Sequence, residues 1–247
     1  MTEHVAFVGT AGGVGTTRTV VETAAALARD GRRVHVLDAA YATQGLSEYV
    51  DGRIDPDVTA VCLDEGSLPA ASHRLDFGTA GEAVVTPARA PFERVARAKA
   101  TEPARRLGDL CSEAAASADH VLVDVPPVAA NQHVAAVRAA DRIVAVATAD
   151  GGDALRRTVD TLADLDAGVD AVVSTRGELA AADAPHPPAP APDEPPAALG
   201  DDHDAAAVLA ATETVLEAEL DVQPPEAGPL DRLRNRLRDG EPTLSSS

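Results

Sequence analysis

Lysine is almost missing from this sequence of 247 residues: Lys99 is the only one, and 21 basic residues face 40 acidic ones for a formal net charge of -19. So strong a negative balance excludes a general affinity for the polyanionic backbones of DNA and RNA. Aromatic residues make up 2% of the chain and tryptophan is absent. A surface this acidic suits molar salt, where a screening length of about 3 Å keeps like charges from driving the chain apart. Cysteine is scarce as well: Cys62 and Cys111 have no CxxC spacing, which excludes a disulfide framework or zinc site and leaves two buried, reduced thiols as the expectation. No apolar run approaches the ~18 residues that span a bilayer, and the N-terminus lacks a charged segment followed by an apolar one. A cytoplasmic location is expected.

What is present alternates in character. His4 to Gly9 is a short apolar run closing on glycine, a buried strand entering a tight turn. From Thr17 the apolar residues Val20, Val21, Ala24, Leu27 and Ala28 share a helical face, and Gly31 supplies a stop. Arg33 to Asp38 is a second strand, ending in a carboxylate. Further strands are expected at 82–86, 121–124, 142–147 and 170–174, with helices at 103–118, 131–140 and 153–165 between them. This order predicts an α/β fold, a doubly wound, mostly parallel sheet of Rossmann-like type.

The character changes after residue 176. Residues 177–228 hold 12 acidic residues, 9 of the 18 prolines and no lysine or arginine. The run Pro185 to Pro192 is expected to be extended, because proline fixes φ and removes a donor. A helix is expected over 204–220. Leu230, Leu233 and Leu237 then line one face of a terminal segment that carries Arg232, Arg234, Arg236 and Arg238. The expected organisation is a domain over 1–176, an acidic Pro-rich linker over 177–203 and a helical C-terminal region over 204–247. The local cluster Asp201-Asp202-His203-Asp204 reads as a solvated helix start rather than a metal site.

Between the first strand and the first helix lies Gly9-Thr10-Ala11-Gly12-Gly13-Val14-Gly15-Thr16-Thr17. Glycines let successive N–H groups converge on an anion, and a helix start adds free donors and the positive end of its dipole. The candidate phosphate-binding residues are Gly12, Gly13, Val14, Gly15, Thr16 and Thr17. The hydroxyl of Thr17 and the strand-terminal carboxylates of Asp38 and Asp124 are the candidate Mg²⁺ ligands. Two plainer readings stand beside these: a tight βα turn that binds nothing, and aspartates that only cap strand ends.

With these residues the chain resembles the ParA/MinD family of P-loop ATPases, whose deviant Walker A loop has the form KGGVGK[ST]T. Ala11 to Arg18 matches that loop, Val121 to Pro127 its Walker B strand and following Pro-Pro, and Ala139 to Ile143 the entry to the next strand. The resemblance covers residues 1–176. Asp38-Ala39-Ala40, Gln44-Gly45 and 57–63 resemble most the CpaE/TadZ branch and the MinD-like proteins of haloarchaea, and the composition is like that of extreme halophiles. The resemblance implies ATP or ADP with Mg²⁺ as cofactor, dimerisation through the nucleotide face, and a role in intracellular localisation or regulation. At the end of the last core strand, Ser174 stands in the region where the family often places an adenine-recognising asparagine.

The departures are specific. Ala11 replaces the signature lysine, Thr16 the P-loop lysine, and Ala40 the second aspartate that positions the attacking water. Charge-assisted hydrogen bonds contribute ~1.5 to 3 kcal/mol each, so two lost cations weaken triphosphate binding by ~10² to 10⁴. Arg18 is no substitute, since two residues along a helix turn a side chain by ~200°. The expectation is weak nucleotide binding with slow or absent hydrolysis and no catalytic residue. A slow Mg²⁺/K⁺-dependent ATPase and an interaction scaffold built on residues 177–247 are the alternatives. For the terminal Arg/Leu segment, docking on this core or on a protein partner is favoured over peripheral membrane contact.

Overall fold

The computed structural model describes residues 2–185 and 194–222. The centre of the expected Pro-rich stretch and the whole terminal Arg/Leu segment lie outside the described residues. The chain runs β1 (Glu3–Gly9), α1 (Thr16–Arg29), β2 (Arg33–Asp38), a 3₁₀ turn (Gly45–Tyr49), α2 (Val58–Cys62), α3 (Leu68–Ala71), β3 (His73–Leu75), β4 (Glu82–Thr86) and α4 (Phe92–Ala98). It continues through α5 (Thr101–Ala114), β5 (His120–Val125), α6 (Asn131–Ala139), β6 (Arg142–Thr148), α7 (Gly152–Ala163), β7 (Ala171–Thr175), β8 (Ala184–Pro185), a second 3₁₀ turn (Ala197–Leu199) and α8 (His203–Leu216).

The strands form one sheet in the order β3-β4-β2-β5-β1-β6-β7-β8, parallel throughout except for β3, which runs antiparallel to β4. The expected doubly wound α/β fold is present. Continuous apolar strands follow from burial on both faces, and successive residues of β1 show it. Val5 and Phe7 belong to a core with Val20, Val21 and Leu27 of α1. Ala6 and Val8 belong to the opposite core with Leu107 and Leu110 of α5, Val137 of α6 and Leu162 of α7. Each fully buried leucine or phenylalanine contributes roughly 1.5–3 kcal/mol relative to an exposed one.

Three features lie outside the sequence expectation. The short β3 closes one edge of the sheet, and α2 to α4 fill the long interval between β2 and α5. Residues 184–185 add a parallel edge strand to β7. Beyond them the chain returns to α1: Ala198, Val208 and Leu209 pack on Ala25 and Ala26, while Ala211, Val215 and Leu216 join the core beneath α1. The pairing is polar as well as apolar. Glu22, fully buried in α1, accepts hydrogen bonds from the main-chain N–H groups of Ala197 (2.9 Å) and Ala198 (2.9 Å) and from the Arg18 guanidinium (2.8 Å).

The acidic cluster before α8 has structural partners. Asp202 caps the helix by accepting from Ala205 N (3.0 Å), and Asp201 pairs with Arg29 (3.1 Å). Both cysteines are buried free thiols, and burial pushes them up to about 11 for Cys62 and about 12 for Cys111. Among the described residues no helix is long and apolar enough to cross a membrane.

Candidate functional site

The glycine loop leaves the C-terminal end of β1 and is fastened on both sides. Thr10 donates to Val146 O of β6 through its main-chain N–H and through its hydroxyl, each at 3.0 Å. Thr175, the last residue of β7, donates its hydroxyl to Val14 O at 2.6 Å. Gly13 and Gly15 take φ of 75° and 94°, a region that costs residues with a β-carbon about 1 kcal/mol or more. Gly15 is also the N-cap of α1 and brings no side chain to it, so the donors of the first turn remain available to an anion. In front of the loop lies a cleft of about 430 Å³ whose walls include Gly12 to Arg18, Ala40, Tyr49, Asp124 and Arg176.

Two of the three expected metal ligands meet in this cleft. The Thr17 hydroxyl donates to Asp124 Oδ2 at 2.6 Å. Asp38 stands beside Asp124 in strand register but is not part of the cleft wall. It is fully buried, and its two oxygens accept from Ala40 N (2.7 Å) and Ala88 N (3.0 Å), which ties together the loops after β2 and β4. Burial raises both carboxyls above the usual carboxylate range. Asp38 is raised further by the charge of Asp124, whereas the Thr17 hydrogen bond acts the other way on Asp124. A divalent cation answers such a pair electrostatically. Among the described residues no group of three or more His, Cys, Asp or Glu converges, so a cation at Thr17 and Asp124 would need further oxygens from a ligand or water.

The substituted positions are equally well defined. Ala11, Thr16 and Ala40 all line the cleft and bring it no charge. Thr16 Oγ1 stands 2.5 Å from the point a β-carbon on Gly9 would occupy, so this short side chain folds back against the end of β1. Arg18 borders the cleft, but its guanidinium is bound to Glu22 (2.8 Å) and to the carbonyls of Glu194 (3.2 Å) and Pro195 (2.9 Å). It serves the returning C-terminal segment, in keeping with its turn along α1.

Ser174 is fully buried and donates its hydroxyl to Gly177 O; it is not part of the cleft wall. Two residues further, Arg176 is, and sequence reasoning passed it over. The signal was available, because ligands of doubly wound sheets bind beyond the carboxyl ends of the strands and Arg176 follows β7 directly.

No protein-family model and no curated protein sequence matches the chain. Solved structures do. The chain is similar to the septum site-determining protein MinD of Pyrococcus horikoshii complexed with Mg-ADP, at 18% identity over 86% of this chain and 95% of that one, with a TM-score of 0.71. It is similar to MinD in the MinC:MinD cell division complex of Aquifex aeolicus, at 18% identity over 90% and 98%, with a TM-score of 0.71. Cobyrinic acid a,c-diamide synthase of Mycobacterium smegmatis with bound ATP analogue and magnesium gives 21% identity over 88% and 95%, with a TM-score of 0.66. With its glycine loop at the head of α1 and its carboxylates at neighbouring strand ends, the chain has the Rossmann-like P-loop fold of these structures.

Proposed function

We propose that this chain is a ParA/MinD-type nucleotide-binding protein that holds ATP or ADP with Mg²⁺ and hydrolyses ATP slowly or not at all, acting in intracellular positioning or regulation. The observation that carries this reading is the joint presence of an uncapped α1 start and the Thr17–Asp124 pair in one cleft, with Ala11, Thr16 and Ala40 where cations and a water-positioning carboxylate are expected. The main-chain donors of Gly13 to Thr17 would orient the phosphates, and Thr17 and Asp124 would hold Mg²⁺. Asp38 supports Asp124 from behind. A metal held there would neutralise phosphate charge. No described side chain at Ala40 orients a water, which is the reason for slow turnover.

The working assembly proposed is a homodimer that meets at the nucleotide face. With Ala11 in place of a lysine, no cation at that position crosses between protomers. A net charge of -19 suits high salt, and the thermal midpoint is expected to rise steadily between 0.1 and 2 M KCl.

Calorimetric titration of the full chain with Mg-ADP and Mg-ATP in molar KCl tests the proposal. Measurable binding is expected, lost in Thr17→Ala and strengthened about ten- to a hundredfold in Thr16→Lys, with a charge-assisted contact as the reason. Absence of heat and of any Mg-ADP effect on the thermal midpoint would sink the nucleotide reading. Steady turnover abolished by Asp124→Ala would replace it with an active ATPase. Light scattering with and without Mg-ATP reports the dimer.

A further inference from the structure

We propose that Arg176 is the phosphate-neutralising cation of this cleft, taking over from the end of β7 the charge that Ala11 and Thr16 no longer bring; the inference rests on the nucleotide reading above. The charge inventory points there. The cleft wall carries two carboxylates, Glu48 and Asp124, and two cations, Arg18 and Arg176. Arg18 is committed to buried Glu22 and to two carbonyls. A Mg²⁺ ion on Asp124 would formally balance only these two carboxylates, so the several negative charges of an entering polyphosphate need a further positive group. Arg176 is the cation among the described lining residues that makes no ion pair with a described carboxylate, and it is exposed.

Its placement is fixed by the phosphate loop itself. Thr175 is buried, donates to Val14 O (2.6 Å) and to Ala147 O (3.3 Å), and its methyl group lies 3.7 Å from where a β-carbon on Gly15 would stand. One residue later the chain enters the left-handed region, with Arg176 at φ 58°. Ser174, by donating to Gly177 O, closes a short loop around it. A left-handed conformation is unfavourable for arginine and suits glycine, so local backbone preference does not explain why arginine stands here. The rigid link from β7 to the loop keeps the base of the side chain at a constant distance from the anion cradle. A guanidinium offers several donors in a plane, matched to phosphate oxygens.

The test is titration of the full chain, with Mg²⁺ in molar KCl, against three probes: inorganic tripolyphosphate, ADP and adenosine. Arg176→Ala is expected to weaken tripolyphosphate and ADP about ten- to a hundredfold while leaving adenosine unchanged, with partial recovery in Arg176→Lys. Arg176→Gly is expected to lose the same affinity while melting no lower than the parent, because glycine relieves the left-handed backbone. Arg105→Ala, an exposed site on α5, serves as the control. Unchanged tripolyphosphate affinity in Arg176→Ala, with ADP still bound, overturns the inference and leaves the nucleotide reading standing. A loss confined to adenosine overturns it in favour of a base contact. Failure of the parent chain to bind any probe overturns both.

Discussion

Replacing Glu22 with alanine is expected to destabilise the protein by about 3–5 kcal/mol, a large part of the 5–15 kcal/mol typical of a domain. Glu22 is fully buried, and its partner Arg18 is 5% exposed. Without the carboxylate the largely buried guanidinium loses its ion pair, and the N–H groups of Ala197 and Ala198 lose their acceptors. Glu22→Gln keeps one acceptor and turns an amide donor towards a donor, so an intermediate loss is expected. Arg18→Ala combined with Glu22→Ala should recover part of it, since no buried guanidinium is then left without its carboxylate. The same contacts predict that a chain ending at residue 185, which lacks α8 and the turn before it, unfolds at distinctly lower denaturant than the full chain. Urea titrations in molar KCl measure both effects. A Glu22→Ala loss below about 1 kcal/mol would show that the returning segment is not fastened through this residue.

The second large effect expected is a reversal of pH dependence by magnesium. Asp38 and Asp124 face each other in register, and burial raises both; Asp38 is pushed up to about 8 and Asp124 to about 6. A carboxyl raised on folding binds its proton more tightly in the native state, so its contribution is greatest near the unfolded value of about 4 and declines as pH rises through the folded values. Without Mg²⁺, therefore, this pair costs stability progressively between about pH 4 and 8. His35 and His133, both lowered to about 4 by burial, act in the opposite sense below about pH 6.5. The comparison with Asp124→Asn isolates the carboxyl pair. Asparagine keeps an acceptor for Thr17 and removes one of the two charges, so the variant should be more stable than the parent at pH 8 by about 1–3 kcal/mol. Millimolar MgCl₂ should raise the parent's midpoint increasingly with pH and leave Asp124→Asn unmoved. Parallel pH profiles for the two proteins, or an equal magnesium response, would remove Asp124 from the metal site.

The residues that made the site legible in the sequence are local in kind. The loop Gly12 to Thr17 could be placed because a strand closing on glycine and a helix opening three residues after Gly13 are read within a short window. Asp38 and Asp124 could be placed because each ends an apolar run. Their different fates could not be read the same way: Asp124 meets Thr17 in the cleft, whereas Asp38 is consumed by Ala40 N and Ala88 N. The second of those partners lies 50 residues away. Likewise, Arg18 could be turned away from the loop by helical geometry alone, but its destination at Glu194 and Pro195 required the chain to come back.

The amino-acid order thus determined the alternation of strands and helices, the position of the glycine loop and the absence of lysine from it, since each depends on periodicity and on neighbours along the chain. Tertiary structure alone decided that β5 enters between β1 and β2 to set the two aspartates side by side, that α8 covers α1, and that Arg176 stands at the cleft in front of the glycine loop. Those arrangements come from pairings across 50 to more than 170 residues, such as Val14 with Thr175 and Glu22 with Ala198. Their stability derives from burying two sheet faces at once, a condition that no single segment carries by itself.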